Sequence, residues 1–328
     1  CENGVITNLL NFHGIKLSEP MVFGIGSGLF FAYLPFVKIN GSPASSFRPL
    51  PGMIFNKATQ RLGIEMKSRT YRKQPRKAMK ELDDILLNQG LPVGLQVGVY
   101  HLPYFPPAYR FHFNSHNIAV FGKEGDVYHV SDPVMDHPTT LTEEEMRRVR
   151  YAKGVFAPNG RMYYPTAIPD ELPLDKAIYK GLKHTTDWML NIPVPLFGAK
   201  GIAYLGKRMK NWENKFGPRK ARIHLAQVVR MLEEIGTGGA GFRFIYAAFL
   251  QEAADIIGKP IMNDFSRELT AIGDDWRVFS YGAAQLCKNR NKQAHTFSSL
   301  GNLLLDISAR EEKLFTHIKT DIVKPYGK

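Results

Sequence analysis

Residues 113–133 run Phe113-Asn114-Ser115-His116-Asn117-Ile118-Ala119-Val120-Phe121-Gly122-Lys123-Glu124-Gly125-Asp126-Val127-Tyr128-His129-Val130-Ser131-Asp132-Pro133. The stretch reads as a strand, a turn at Lys123-Glu124-Gly125-Asp126, and a returning strand. A hairpin turning about position 124 sets His116 opposite Asp132, Ile118 opposite Val130 and Val120 opposite Tyr128. Side chains alternate along strands, so all six share one face. A carboxylate beside an imidazole fixes its tautomer and stabilises its protonated form. Pro133 stops the second strand just past the acid. Cross-strand His–Asp pairs also serve stability alone. A nucleophile elsewhere in the same half of the chain favours the catalytic reading.

That nucleophile is Cys1, in Cys1-Glu2-Asn3-Gly4-Val5-Ile6-Thr7-Asn8-Leu9-Leu10-Asn11-Phe12-His13-Gly14. Val5, Ile6, Leu9, Leu10 and Phe12 recur at helical spacing, and Gly14 is a natural stop. Cys1 then stands at a helix N-terminus, where free N–H groups and the dipole favour a thiolate. A thiolate there needs only a base to act as a catalytic nucleophile. The alternatives are a small buried hydrophobe, a lipidated cysteine or a trimmed start. The immediate apolar pattern argues against the flexible tether of a lipoprotein.

The 328 residues suffice for two domains, with a globular composition of 44% hydrophobic and 22% charged. Cys1 and Cys287, the two cysteines, make neither a disulfide framework nor a metal knuckle, which fits a reducing, cytoplasmic compartment. The start, Cys1-Glu2-Asn3, has no basic n-region and does not read as a signal peptide. His101, His112, His116, His129 and His137 are numerous enough to raise a metal, but no HExxH spacing is present, so no metal is expected. Net charge is +13, which implies an acidic partner: nucleic acid, an anionic membrane face or an acidic carrier protein. No zinc-finger, RRM or basic-zipper pattern is present, which argues against nucleic acid. The uncharged run Met21 to Val37 is interrupted by Gly24, Gly26, Gly28 and Pro35, and reads as core strands between turns rather than a span.

Leu17-Ser18-Glu19-Pro20 reads as a turn, and Val22 to Tyr33 as a tight backbone crossing followed by strand. Its glycines do not have the dinucleotide spacing. Helices are expected over Met53 to Leu62 and Arg76 to Asn88, a buried strand over Val93 to His101, and a rigid loop over Leu102 to Pro107. The basic run from Arg69 to Lys80 reads as a solvated face or a docking surface. Beyond a proline-spaced connection at 163–170 the pattern is helical. Helices are expected over Asp175 to Leu190, Ala199 to Asn214, Arg219 to Ile235, Phe242 to Ile257, Pro260 to Cys287 with interruptions, and Thr296 to Val323. The Gly236 to Gly241 loop reads either as an anion-friendly helix opening or as a tight corner. Lys207, Arg208, Lys210, Lys215, Arg219, Lys220 and Arg222 form the densest basic cluster. Cys287, in an apolar helix, reads as inert packing.

Cys1 opening its helix, Phe23-Gly24-Ile25-Gly26-Ser27-Gly28, Leu102-Pro103-Tyr104 and the hairpin from His116 to Asp132-Pro133 together resemble the N-terminal domain of butirosin biosynthesis protein H. That family is similar to papain-like cysteine peptidases, especially the bacteriocin-leader-processing group. Gly236-Thr237-Gly238-Gly239-Ala240-Gly241-Phe242-Arg243, with Tyr246, Phe249-Leu250 and Glu252-Ala253, looks like the uncharacterised helical domain that often follows. The resemblance implies an α+β fold: a papain-like cysteine domain over residues 1–165, then an all-α domain over 166–328. It also implies an acyltransferase in which Cys1 takes the acyl group, His116 is base and acid, and Asp132 orients His116. Gly26, Ser27 and Tyr104 are then substrate-binding candidates. The implied donor is an acidic acyl carrier protein or coenzyme A thioester, carrying phosphopantetheine and needing no further cofactor. The implied acceptor is a small-molecule amine or hydroxyl in secondary metabolite biosynthesis. Papain-like enzymes take an oxyanion donor from a Gln before the Cys, and nothing here matches it. The backbone N–H groups of Cys1 and Glu2, or the Asn3 side chain, are the substitutes. The rivals are a thiol peptidase or amidase using the same residues, including the N-terminal-nucleophile type, and a catalytically dead binding module.

Overall fold

The computed structural model describes residues 1–39, 41–235, 238–288 and 295–326. In chain order the elements are α1 (Glu2–Phe12), α2 (Glu19–Ile25), β1 (Ala32–Ile39), β2 (Ser42–Ser46), α3 (Met53–Leu62), β3 (Glu65–Arg69), α4 (Pro75–Asp83), β4 (Val93–Val97), β5 (His116–Glu124), β6 (Val127–Ser131), β7 (Thr139–Thr142), α5 (Glu143–Arg150) and β8 (Met162–Ala167). Then follow α6 (Leu174–Leu190), α7 (Gly198–Met209), α8 (Trp212–Phe216), α9 (Pro218–Glu233), α10 (Arg243–Ile256), α11 (Met262–Cys287) and α12 (Phe297–His317). The fold is mixed α/β with a helical C-terminal region.

The chain forms two compact units, and the division is not the linear one at 165/166. One unit is Cys1–Val22 with Pro51–Leu172; the other is Phe23–Leu50 with Pro173–Lys328. The aromatic content of residues 23–50 explains the exchange. Phe23 stacks on Phe242 at 5.3 Å, and Phe31 and Phe47 both pack against Trp276, at 6.3 and 5.4 Å. Gly24 is required there, because a Cβ would fall 2.0 Å from the Phe249 ring.

In the first unit an antiparallel sheet runs in the order β3-β8-β4-β5-β6-β7. Val93, Leu95, Val97, Ile118, Val120, Tyr128 and Val130 turn one face to a core closed by Ala78, Met79 and Leu82 of α4 and Met146 and Val149 of α5. On the other face Phe55 of α3 meets Tyr163 of β8, with ring centroids 4.5 Å apart, and α1 packs against β5 and β4. A capping box at Thr142 and Glu145 starts α5. Arg69 pairs with Glu81 at the surface. The helix expected over Arg76–Asn88 is α4 followed by a π-turn at Asp84–Asn88. The strand expected to reach His101 ends at Val97.

Three expectations need correction. Residues 19–25 form helix α2, not a turn and crossing. Pro20 sits in its first turn, where its missing N–H costs nothing. Helix α11 is continuous over Met262–Cys287, because Gly273 and Gly282 lie at close approaches to Phe244 and His295 rather than at breaks. The hairpin register also differs: Val120 pairs with Val130 rather than Tyr128, with a bulge between Val120 and Gly122. The offset is two residues, so facing is preserved and His116 and Asp132 meet diagonally.

In the helical unit the β1–β2 hairpin packs against α7 and α9. Of the Gly236–Gly241 loop, Gly236 and Thr237 lie outside the described residues. Gly238, Gly239, Ala240, Gly241 and Phe242 all have positive φ. The Ala240 N–H donates to Glu233 at 3.3 Å. A carboxylate on that N–H makes the loop a helix–helix corner rather than an anion site.

Candidate active site

His116 opens β5 and Asp132 follows the last residue of β6, both almost fully buried. Their side chains meet, His116 Nε2 to Asp132 Oδ2, at 2.7 Å. Two further donors hold the carboxylate. The Tyr104 hydroxyl donates to Oδ2 at 2.9 Å, and the Val134 N–H donates to Oδ1 at 3.1 Å. Burial alone pushes the Asp132 carboxyl up. The His116 charge and hydrogen bond, with the Val134 and Tyr104 bonds, outweigh it and hold the group below its ordinary value. The Tyr104 hydroxyl is pushed well up, by burial first and then by the Asp132 charge. With Nε2–H given to Asp132, Nδ1 of neutral His116 carries the lone pair. Phe105 closes one side of the imidazole, at 5.7 Å between centroids.

Cys1 is the N-cap residue of α1, and its side chain makes no capping bond. Its Sγ lies 3.9 Å from the carbonyl oxygen of Ser115, the residue before His116. The same carbonyl accepts from Asn117 Nδ2 at 3.1 Å, and Asn117 Oδ1 accepts from the Tyr163 hydroxyl at 3.0 Å. Two contacts place α1 against the hairpin. Asn8 Nδ2 donates to Ser131 Oγ at 2.9 Å, and Gly4 lies against Pro133, where a Cβ would fall 2.6 Å from the proline Cβ. Glu2, buried beside Cys1, turns its carboxylate to the backbone N–H of Gly52 ahead of α3.

The sequence-selected residues therefore divide. His116 and Asp132 are in contact, and Cys1 lies against the peptide leading into His116. Tyr104 lies in the same cluster, with its hydroxyl proton given to Asp132. Gly26 and Ser27 lie in the other unit. Ser27 is fully buried and donates to the Gly181 carbonyl at 3.2 Å, a packing role. The Asn3 amide donates to Glu19 at 2.7 Å, which leaves the backbone N–H groups at the start of α1 as the remaining oxyanion-donor candidates. Gln96 is likewise committed, donating to the carbonyls of Asn114 and Phe156 at 2.9 Å each. Sequence reading missed Asn117 and Tyr163, although the β5 alternation puts Asn117 on the face opposite His116. Among the described residues no group of three or more His, Cys, Asp and Glu could hold a metal ion. No described helix is long and apolar enough to cross a membrane.

Tyr104→Phe removes one donor from Asp132 without emptying the volume. The bond lowers the carboxyl's pKa, so its loss should move the Asp132 titration midpoint upward, read by carbon-13 carboxyl NMR. An unmoved midpoint would deny Tyr104 this role. The sign for stability follows. The folded pKa lies below the unfolded one (about 3.9), so Asp132 stabilises the fold above that pH. The contribution fades as pH falls through the folded value. Gly4→Ala should move the Cys1 thiol relative to the hairpin and change its rate of alkylation by iodoacetamide severalfold, because a Cβ there would fall 2.6 Å from the Pro133 Cβ. An unchanged alkylation rate would show that the Gly4–Pro133 approach does not set the thiol's position.

Residues 1–133 match the family model described as butirosin biosynthesis protein H, N-terminal. Residues 144–318 match the model described as domain of unknown function (DUF4872). A comparison with curated proteins gives no match. Over half its length the chain fits the second model, so it belongs to that family, with an N-terminal domain of the butirosin biosynthesis protein H type ahead of it.

Proposed function

We propose that this chain is a papain-like cysteine acyltransferase of secondary metabolite biosynthesis, acting through a thioester on Cys1. The buried contact of His116 Nε2 with Asp132 Oδ2 carries the reading. It leaves Nδ1 as the base on the strand whose preceding carbonyl touches the Cys1 thiol. The Cys1 proton passes to Nδ1, and Sγ attacks the carbonyl carbon of a donor thioester. The donor C–S bond breaks, and its sulfur leaves with the proton from His116. An acceptor amine or hydroxyl then attacks the Cys1 thioester, gives its proton to His116, and releases Sγ as thiolate for reprotonation. The developing oxyanion meets the N–H groups at the start of α1, where the helix dipole also favours negative charge. The donor is a carrier-protein or coenzyme A thioester, whose exchange onto a thiol is nearly neutral in energy. Excluding water therefore matters most, a task for Tyr104 and Phe105 beside the imidazole.

Intact-mass measurement after exposure to a panel of acyl thioesters tests this. A single acyl adduct is expected, absent in Cys1→Ala and discharged by an amine acceptor. Release of free acid at a rate indifferent to acceptor would reassign the same residues to thiol hydrolysis. No adduct with any thioester would leave a binding module.

A further inference from the structure

The helical unit contains a second chemical feature that acyl transfer does not use. A cavity of about 400 Å³ opens between the β1–β2 hairpin and the α7–α8 corner. Lys38, Lys207, Arg208 and Lys215 stand around it. All four are exposed, and among the described residues none pairs with a carboxylate. The floor is apolar and mostly aromatic: Tyr33, Trp212, Phe216, Pro35 and Pro43. Tyr33 and Trp212 are almost fully buried and pack on each other at 6.3 Å. Lys215 stands 5.3 Å over the Phe216 ring, and Arg208 5.8 Å over Tyr204. Beneath it His224, fixed by Ser42 at 3.0 Å, packs edge-on against Trp212 and Phe216. Its pKa is lowered, by burial first and then by the charges of Lys38 and Lys220.

We propose that this cavity binds a nucleoside polyphosphate, with the four cations on the phosphates and the ring-lined floor against the nucleoside. Unpaired cations around one opening repel one another, and a polyanion relieves that repulsion. The volume falls in the range of small-molecule sites and exceeds what a bare phosphate fills. A flat heterocycle suits the half-buried Phe216 ring and Pro35, with the buried Tyr33 and Trp212 behind them. A cavity of this size admits neither a duplex nor a folded carrier protein. The proposal is independent of the Cys1 reading, and its test uses binding alone.

Isothermal titration of the intact chain should show saturable binding of adenosine triphosphate. Adenosine and inorganic triphosphate should each bind at least about 10-fold more weakly, because each lacks half of the recognised chemistry. Lys207→Glu with Arg208→Glu should weaken binding by about 30-fold or more. Lys77→Glu with Lys80→Glu, the same charge change on the exposed face of α4, should leave it within about twofold. Should the first pair lose helical circular dichroism, Lys38→Glu with Lys215→Glu replaces it. Coenzyme A binding as tightly as the triphosphate would support the site and name a nucleotide-bearing thiol as the source. Any of four results overturns the proposal: no saturable binding, equal affinity for inorganic triphosphate, equal loss in the α4 control, or competition only by nucleic acid or an acidic protein.

Discussion

Asp132→Asn is expected to slow acylation of Cys1 by about 10²-fold or more, and His116→Ala by about 10²–10⁴-fold. The reasoning for the acid rests on counting donors. Asp132 accepts from His116 and Tyr104 on Oδ2 and from the Val134 N–H on Oδ1. A carboxylate satisfies all three, whereas an amide must aim its NH2 at one of those donors. Either the backbone turn at Val134 strains or the imidazole takes the wrong tautomer, with Nδ1 protonated and unable to accept the thiol proton. His116→Ala removes the base itself. Because Asp132 is held below its ordinary pKa, it stays ionised from mildly acid to alkaline pH. The rate should therefore show no step from this carboxyl above about pH 5. Rates come from time-resolved intact mass with an acyl thioester, with circular dichroism confirming the fold. Both variants within about threefold of wild type would end the catalytic assignment of this pair.

Glu311→Ala is expected to destabilise the helical unit by about 3–5 kcal/mol. Glu311 and Arg243 are both fully buried. Arg243 donates from Nε to Oε1 and from Nη2 to Oε2, each at 2.9 Å, and Trp276 Nε1 donates to Oε1 at 2.8 Å. One carboxylate thus joins α10, α11 and α12. Without it the guanidinium keeps the Gly241 carbonyl, at 2.8 Å, and the faces of Phe47 and Trp276. Neither neutralises a buried charge. Removing both charges together, as Arg243→Met with Glu311→Leu, should cost less than Glu311→Ala alone, because the remaining losses are neutral groups, the Trp276 N–H and the Gly241 carbonyl, rather than a buried charge. Urea unfolding of the wild type, Glu311→Ala and the double variant checks it. A single-variant loss below about 1 kcal/mol, or a double variant worse than the single, would contradict the account.

Local periodicity carried much of this molecule. The apolar spacing behind Cys1 gave α1, and the β5–β6 alternation put His116 and Asp132 on one side whether the register was the expected one or two residues off. Parity survives a two-residue slip, so the pair could be read without the bulge at Phe121. The spacing of apolar residues likewise gave the helices of the second unit. Tyr104's role was not legible, because a hydroxyl in a proline-rich loop carries no mark of which carboxylate it will meet. That Gly26 and Ser27 fall with the helical unit was not legible for a related reason. Their local pattern is the same whether the chain lines a site or packs among distant helices.

By itself the sequence determined most of the elements, α2 excepted, and the facing of the His–Asp pair, since both follow from backbone period and side-chain alternation over a few residues. Only the tertiary structure decided that residues 23–50 join the helical unit, that Tyr104 serves Asp132, and that four separated cations surround one aromatic-floored cavity. Those outcomes depend on burial of rings and pairing of charges between segments far apart in the chain, and no short window of sequence encodes them.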